Sequence, residues 1–340
     1  INAQGWYVFG QNSHLVNTSN AFSIIDGYLK FNDVFDMPLD VQAGRFRMEY
    51  GTGRFISNSF WNYRERKFDG FRFLFDFDKN NLDVFLTNHT SQITSQTYNN
   101  PLNSSPESYN GYNIYGFWFN TKALENNDIN LFGYFENNAA KIADETALNR
   151  YTAGTEYKGN FGNFGAEIQA AYQFGTQRGL DIAAYLAAIG LNYKMDNLMF
   201  SAGLDMHSGS DDGNFEEINT FNNYLAAKHR FMGLMDYFVI AHKAYNGFGV
   251  NDIHVGGKYS AGNMMYKLAF HHFTANNMSD DIDETAYGQE IDLIARYKYS
   301  KKIFVEVGQG LFMPGDLMKN YFNDNDDISF VTYLRAVVKL

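Results

Sequence analysis

Apolar and polar residues alternate along most of this chain with a period of two, which is typical of β-strands that have two unlike faces. Between 290 and 299, Ile291 and Leu293 fall on one face while Glu290 and Asp292 fall on the other. The last twelve residues alternate in the same way, and the 3.6-residue period of an amphipathic helix is almost absent. The pattern predicts an all-β protein.

Turn signals divide the alternating pattern into about sixteen strands, most of them nine to twelve residues long. We predict strands near 1–11, 22–32, 39–50, 68–78, 81–90, 111–121, 128–138, 148–158, 161–174, 181–194, 197–208, 249–259, 263–274, 287–299, 302–312 and 329–340.

The connections between these strands differ in length. Tight turns alternate with long loops. The tight turns include 79–80, 159–160, 195–196, 261–262 and 300–301, and the long loops are 51–67, 91–110, 209–248, 275–286 and 313–328. Short turns at one rim and long loops at the other are typical of an outer-membrane barrel. A soluble β-sandwich or a solenoid is the alternative, but tyrosines near strand ends, such as Tyr193, Tyr259 and Tyr297, favour an interfacial girdle.

Composition narrows the class of membrane protein. The longest apolar run among the 340 residues, Ile182 to Leu191, is half of the roughly 20 residues that a spanning helix needs. A barrel tolerates a mean hydropathy of −0.37, because its strands alternate lipid-facing with water-facing residues. We therefore predict one transmembrane antiparallel β-barrel domain over 1–340, located in the cell outer membrane and in contact with membrane lipid and lipopolysaccharide.

The net charge of −11 argues against nucleic acid as a partner, because phosphate binding needs a basic surface. The whole acidic excess lies in three of the predicted long loops, which we expect to be a solvated rim, since no calcium-loop spacing is present. These acids are Asp211, Asp212, Glu216, Glu217, Asp280, Asp281, Asp283, Glu284, Asp324, Asp326 and Asp327.

Signatures of catalysis are missing from the sequence. There is no nucleophile elbow, zinc-protease motif, P-loop or dinucleotide fingerprint, and no cysteine. The adjacent His271 and His272 would face opposite sides of a strand and could not bind one metal together. We therefore predict no enzyme activity, no metal and no cofactor.

Arginine is concentrated between residues 44 and 72. Arg45, Arg47 and Glu49 alternate with apolar residues on a predicted strand, and the following loop can fold inward and narrow the pore. Guanidinium groups in a lumen suit anions such as sugar acids; alternatively, they pair with local carboxylates and only neutralise a polar lumen. The predicted pore-lining and anion-binding residues are Arg45, Arg47, Glu49, Arg54, Arg64, Arg66, Asp69, Arg72, Arg296 and Arg335.

The barrel register predicts which residues point inward, because arginine in hydrocarbon costs about 2–4 kcal/mol near the midplane. We expect Arg45, Arg47, Arg72, Arg296 and Arg335 to face the lumen, and Phe46, Phe71, Phe73, Leu293 and Leu334 to face lipid.

Several strings resemble the alginate-export porin family of Gram-negative outer membranes. They are Gly44-Arg45, Tyr50-Gly51-Thr52-Gly53-Arg54, Trp61, Phe68-Asp69-Gly70-Phe71-Arg72 and His229-Arg230-Phe231-Met232-Gly233, and their order persists through most of the chain. The resemblance implies an eighteen-stranded monomeric barrel. If the count is eighteen, we expect the missing first hairpin to lie upstream of Ile1. It also implies that anionic polysaccharide or oligosaccharide passes through an arginine-lined constriction.

The leading functional hypothesis is a porin through which small hydrophilic, anionic solutes or oligosaccharides diffuse or are exported. The alternative is a plugged accessory barrel that docks other outer-membrane proteins. A lipase-type or protease-type barrel is disfavoured by the missing nucleophile motifs.

Overall fold

The computed structural model describes residues 2–6, 21–59, 65–93, 109–142, 145–210, 216–238, 247–277, 284–321 and 327–338. Sixteen of its seventeen strands match the sixteen predicted ones in order. The strands are β1 (Asn2–Trp6), β2 (Ala21–Phe31), β3 (Leu39–Phe46), β4 (Phe68–Phe77), β5 (Asn80–Ile93), β6 (Tyr109–Thr121), β7 (Asn127–Ile142), β8 (Glu145–Phe161), β9 (Phe164–Gln177), β10 (Leu180–Met195), β11 (Leu198–His207), β12 (Glu217–Ile218), β13 (Val250–Ala261), β14 (Met264–Thr274), β15 (Ala286–Lys298), β16 (Ile303–Pro314) and β17 (Ser329–Val338).

The long strands belong to one antiparallel sheet in which each strand pairs with the next along the chain. The exception is β12, a two-residue strand that pairs in parallel with β10, so that β11 pairs directly with β13. Local hairpin pairing of this kind follows from the tight turns that the sequence predicts.

The connections between strands lie at the two ends of the strands, the two rims of the barrel. We call these rims the short edge and the long edge, after the length of their longest connections. One edge carries the connections after β2, β4, β6, β8, β10, β13 and β15, none longer than seven residues. The other carries the long connections, including 47–67 and 208–249, together with the two-residue connections 143–144 and 178–179. The predicted turn at 159–160 is wrong by three residues, because β8 continues to Phe161 and the chain turns at Gly162 and Asn163. The acidic stretches all fall in connections at the long edge.

The two faces of the sheet differ in chemistry. On the outer face, Phe71, Leu293 and Leu334 are 52%, 49% and 74% exposed in the isolated chain. On the inner face, by contrast, charged residues such as Asp252 and Glu290 are fully buried. The alternation predicted from the sequence therefore sorts apolar side chains outward and polar ones inward.

Among the residues that the structure describes, short helical turns lie at Val34–Asp36, Lys228–Arg230 and Leu317–Tyr321. None of the helices in the described part of the chain has the length and apolar character needed to cross a bilayer.

Candidate functional site

The segment 47–59, which we call the first inner loop, folds against the inner face of the sheet. The Tyr50 hydroxyl donates a hydrogen bond to Asp83 on β5. Further along, the backbone N–H and the hydroxyl of Thr52 donate to Glu156 on β8, at 3.1 and 2.9 Å. These bonds satisfy polar groups that would otherwise be buried without partners, and they fix the loop across several strands.

Apolar contacts anchor the same loop. Met48, Phe55 and Ile56 are at most 2% exposed and join an inner cluster with Trp118 and Phe132. The Phe55 ring lies 4.5 Å from that of Phe132, which in turn stacks on Trp118 at 4.5 Å. Burying large apolar side chains contributes about 1.5–3 kcal/mol each, which explains why this irregular segment lies inside the barrel.

Residues 216–238, the second inner loop, meet the first one. The backbone N–H of Ser57 donates to the carbonyl of Leu225 at 2.9 Å, and that of Ala227 donates to the carbonyl of Gly53 at 2.8 Å. The backbone N–H of Asn222 also donates to the side chain of Gln173 on β9, at 2.8 Å. The two loops are therefore bonded to each other as well as to the wall.

The far end of the second inner loop reaches the opposite part of the sheet. The backbone N–H groups of Leu234 and Met235 donate to Glu290 on β15 at 2.5 and 2.8 Å. Phe238 lies 4.4 Å, centroid to centroid, from Phe273 of β14. Together the two loops span from β5 to β15 within the inner face.

Cationic side chains gather where the two loops meet, a place we call the loop crossing. Arg54 pairs with Asp205 on β11 at 2.8 Å and lies 3.9 Å over the Phe231 ring. Arg230 pairs with Glu49 at 2.8 Å. Two further cations, Lys228 and Arg66, lie over the Tyr224 ring at 5.1 and 5.4 Å, and Arg66 also donates to the Tyr224 carbonyl at 2.7 Å.

Three other predicted arginines lie on the inner face, each next to a carboxylate. Arg72 on β4 pairs with Asp83 of the neighbouring strand. Near the C-terminus, Glu306 accepts hydrogen bonds from Arg296 at 2.6 Å and from Arg335 at 2.9 Å. The side chains of these arginines are thus placed on the face opposite Leu293 and Leu334, and their role in lining a pore stays a prediction.

Two face assignments in β3 are wrong. Phe46, expected to face lipid, is 1% exposed and lies 5.5 Å from the Arg72 guanidinium. Arg45, expected to share the inner face with Arg72, pairs with Asp69 on the face that carries Phe71. The reason is that the apolar band of the outer face ends at the long edge, where a row of polar residues replaces it. This row runs across neighbouring strands and consists of Arg45, Asp69, Asn88, Asn113, Asn137 and Asn149.

The remaining predicted residues divide between the loops. Arg47 follows β3 and pairs with Asp26 and Glu65, both at 2.6 Å, and these carboxylates raise its pKa. Glu49 lies at the loop crossing. Arg64 lies outside the described residues.

Lys228, Arg230 and Asp205 were missed as site residues. Lys228 and Arg230 lie in an irregular segment that has no alternating pattern to place it inside the barrel, and Asp205 is one of many inward carboxylates. The string that starts at His229 was the signal available in the sequence, and it indicated a family rather than a position in the lumen.

A cavity of about 790 Å³ lies between the first inner loop and the short edge. Tyr50 and Trp118 form apolar parts of its wall, and Lys30 is the cation among its lining residues. Its carboxylates are Asp33, Asp40, Glu49, Asp76, Asp83 and Asp128. The inner surface is therefore acidic near the short edge, and the cations gather at the loop crossing.

An antiparallel barrel with an apolar outer wall and loops folded into a polar interior defines an outer-membrane channel. Comparison with known proteins agrees with this class and gives the family. The model of the family described as alginate export matches residues 9–331, and the chain belongs to that family. No curated protein sequence matches the chain.

Solved structures of outer-membrane proteins share the fold at low sequence identity. OccK5 (OpdH) of Pseudomonas aeruginosa aligns with a TM-score of 0.56 and 12% identity, over 88% of this chain and 78% of that one. OccAB4 of Acinetobacter baumannii gives 0.54 and 11%, over 88% and 72%. OprD of P. aeruginosa gives 0.54 and 14%, over 88% and 76%.

Proposed function

We propose that this channel passes small hydrophilic solutes and favours anionic ones, of the class of sugar acids and acidic oligosaccharides. The observation that carries the proposal is the loop crossing, which brings Arg54, Arg66, Lys228 and Arg230 together inside the barrel. Membership of the alginate export family supports the same class of solute, since alginate is a polymer of sugar acids.

The position of the cations at the crossing supports anion preference even though the chain is acidic. Arg54 and Arg230 lie beside Asp205 and Glu49, and Arg66 donates to the backbone carbonyls of Ser57 and Tyr224. A narrow, low-dielectric passage focuses the field of its own charges, whereas loop acids are screened over a Debye length of about 8 Å. The crossing should therefore select ions more strongly than the net charge does.

The reversal potential in a salt gradient tests the proposal. We expect the wild-type channel in a planar bilayer to prefer chloride over potassium, and Lys228→Gln with Arg230→Gln to shift the reversal potential toward potassium. A matched control removes two charges at the short edge, at the exposed Lys301 and Lys302, and should leave selectivity unchanged. A wild-type channel that prefers potassium would overturn the proposal.

A second candidate function is a closed barrel that docks partner proteins. The interlocked inner loops favour it, because their mutual hydrogen bonds and buried apolar residues hold them inside the barrel. Single-channel recording separates the two candidates, since a closed barrel gives no conductance steps.

A further inference from the structure

Asp205, Asp252 and His254 form a compact group on the inner face, where β11 and β13 pair. Asp205 and Asp252 are direct cross-strand partners, and one donor atom from each of the three residues lies within 4.8 Å of the others. Asp205 and Asp252 are 4% and 0% exposed, so bulk water does not solvate their charges.

The sequence around this group leaves room for the imidazole. His254 lies opposite Gly203 on β11, and a Cβ atom at that position would approach the ring to 2.5 Å. The other side of the ring stacks on His271, with 5.4 Å between centroids. His271 is in turn held by Asp252, with 2.8 Å between Nδ1 and Oδ2. The neighbours therefore fix the orientation of both His254 and Asp252.

A buried histidine lies next to this group on β11. His207, two residues beyond Asp205 on the same face of β11, is 2% exposed, and neither of its ring nitrogens has a hydrogen-bond partner among the described residues. His207 and Arg54 both line a small cavity. Buried polar atoms without partners cost about 1–3 kcal/mol each, so a hydrogen-bonding group that reaches His207 would stabilise this part of the wall.

From these contacts we propose that Asp205, Asp252 and His254 bind one divalent transition cation, such as Zn²⁺. The two carboxylates attract a divalent cation, although Arg54 already neutralises part of the charge at Asp205, and imidazole selects Zn²⁺ over hard cations such as Mg²⁺. Small side-chain adjustments bring such donors to the usual 2.0–2.2 Å. Because Asp205 also accepts from Arg54 at 2.8 Å, a bound cation weakens that ion pair and loosens the first inner loop.

Calorimetric titration of the folded, detergent-solubilised barrel with Zn²⁺ tests the site whether or not the barrel conducts ions. We expect one bound Zn²⁺ per chain and little binding of Mg²⁺. His254→Gln should bind Zn²⁺ at least tenfold more weakly, because loss of even a supporting group lowers metal affinity 10–100-fold. His272→Gln is the matched control, since His272 lies on the neighbouring strand with its cross-strand partner Ile253 on the outer face.

Asp252→Asn provides a second test, because it removes a ligand but keeps the pair between Arg54 and Asp205. Its folded state is checked by the heat-dependent mobility shift of the barrel on gels. Zn²⁺ binding that is unchanged in both ligand variants, or equally weakened by His272→Gln, overturns the proposal.

Discussion

Arg54 of the first inner loop and Asp205 of β11 form a buried ion pair at 2.8 Å, although 151 residues separate them in the sequence. Their side chains are 8% and 5% exposed. The pair ties a segment between β3 and β4 to a strand on another part of the wall, and with the contacts of Thr52 it determines where the loop lies.

Removing one partner of this pair should destabilise the barrel. We expect Arg54→Gln to lower the free energy of unfolding by about 3–5 kcal/mol, because it leaves the Asp205 carboxylate buried without its counter-charge. Guanidinium unfolding of the refolded barrel, followed by tryptophan fluorescence, measures the change. The double variant Arg54→Gln, Asp205→Asn should lose less than the sum of the two single variants; strict additivity would contradict the coupling.

The two faces of β15 give a direct test of the register. Leu293 lies on the outer face and is 49% exposed, while its neighbour Ile294 is partly buried and lies opposite Gly308 and Lys267 on the inner face. Leu293→Arg should lower the free energy of unfolding by about 2–4 kcal/mol if the residue lies near the bilayer midplane, because it places a charge in hydrocarbon.

Ile294→Arg is the matched control one position away. It should lower the free energy of unfolding clearly less than Leu293→Arg does. The reason is that the inner face already carries charged groups, among them Asp292, the adjacent residue on that face of β15. Folding titrations in lipid vesicles compare the two variants, and equal costs would show that the assigned faces are wrong.

The sequence predicted the strands well because each strand carries its own pattern. Alternation placed the strands, and for Phe71, Leu293 and Leu334 it also predicted the correct face. It was wrong for Arg45 and Phe46, because at the level where the apolar band ends, polar residues occupy the outer face and apolar ones pack beneath the inner loop. A rule based on polarity alone reverses there.

The candidate site was less predictable for a physical reason. Its contacts join residues distant in sequence, such as Arg230 with Glu49 and Leu225 with Ser57. Neither inner loop has a repeating pattern that shows which wall residues it will meet. The arginine cluster directed attention to the first inner loop, but the second inner loop, which supplies Lys228 and Arg230, carried no comparable signal.

The acidic cavity near the short edge should make ion flow asymmetric. Asp76 and Asp128 line it and repel anions that enter from that side. We expect Asp76→Asn with Asp128→Asn to increase the anion current entering from the short edge, most clearly at low salt, where screening is weakest. Current–voltage curves at 0.1 M and 1 M salt measure this asymmetry.

Glu216→Gln with Glu217→Gln is the control for the cavity, since both exposed residues begin the second inner loop at the long edge and are not among the residues that line the cavity. These changes should not increase the anion current that enters from the short edge. A current–voltage curve that does not respond to Asp76 and Asp128 would show that the cavity does not lie on the conduction path.

A disulfide between the inner loops can determine whether they must separate for conduction. A Cβ atom at Gly53 would lie 3.5 Å from the Cβ of Ala227, within the range that a disulfide spans, and the chain has no cysteine of its own. We expect Gly53→Cys with Ala227→Cys to form the bond under oxidising conditions. The backbone at Gly53 has φ +78°, so a side chain there costs about 1–2 kcal/mol, and the Arg230 side chain must shift because its Nη1 would lie 2.8 Å from the new Cβ.

Single-channel recording before and after reduction gives the result. If the loops open to admit solute, the oxidised variant should conduct less than its reduced form, and a reductant added during recording should restore the current. The single variant Gly53→Cys carries the same backbone strain without the bond, so its current should not respond to the reductant. Equal conductance of the oxidised and reduced double variant would mean that solute passes beside the joined loops, between the crossing and the remaining wall.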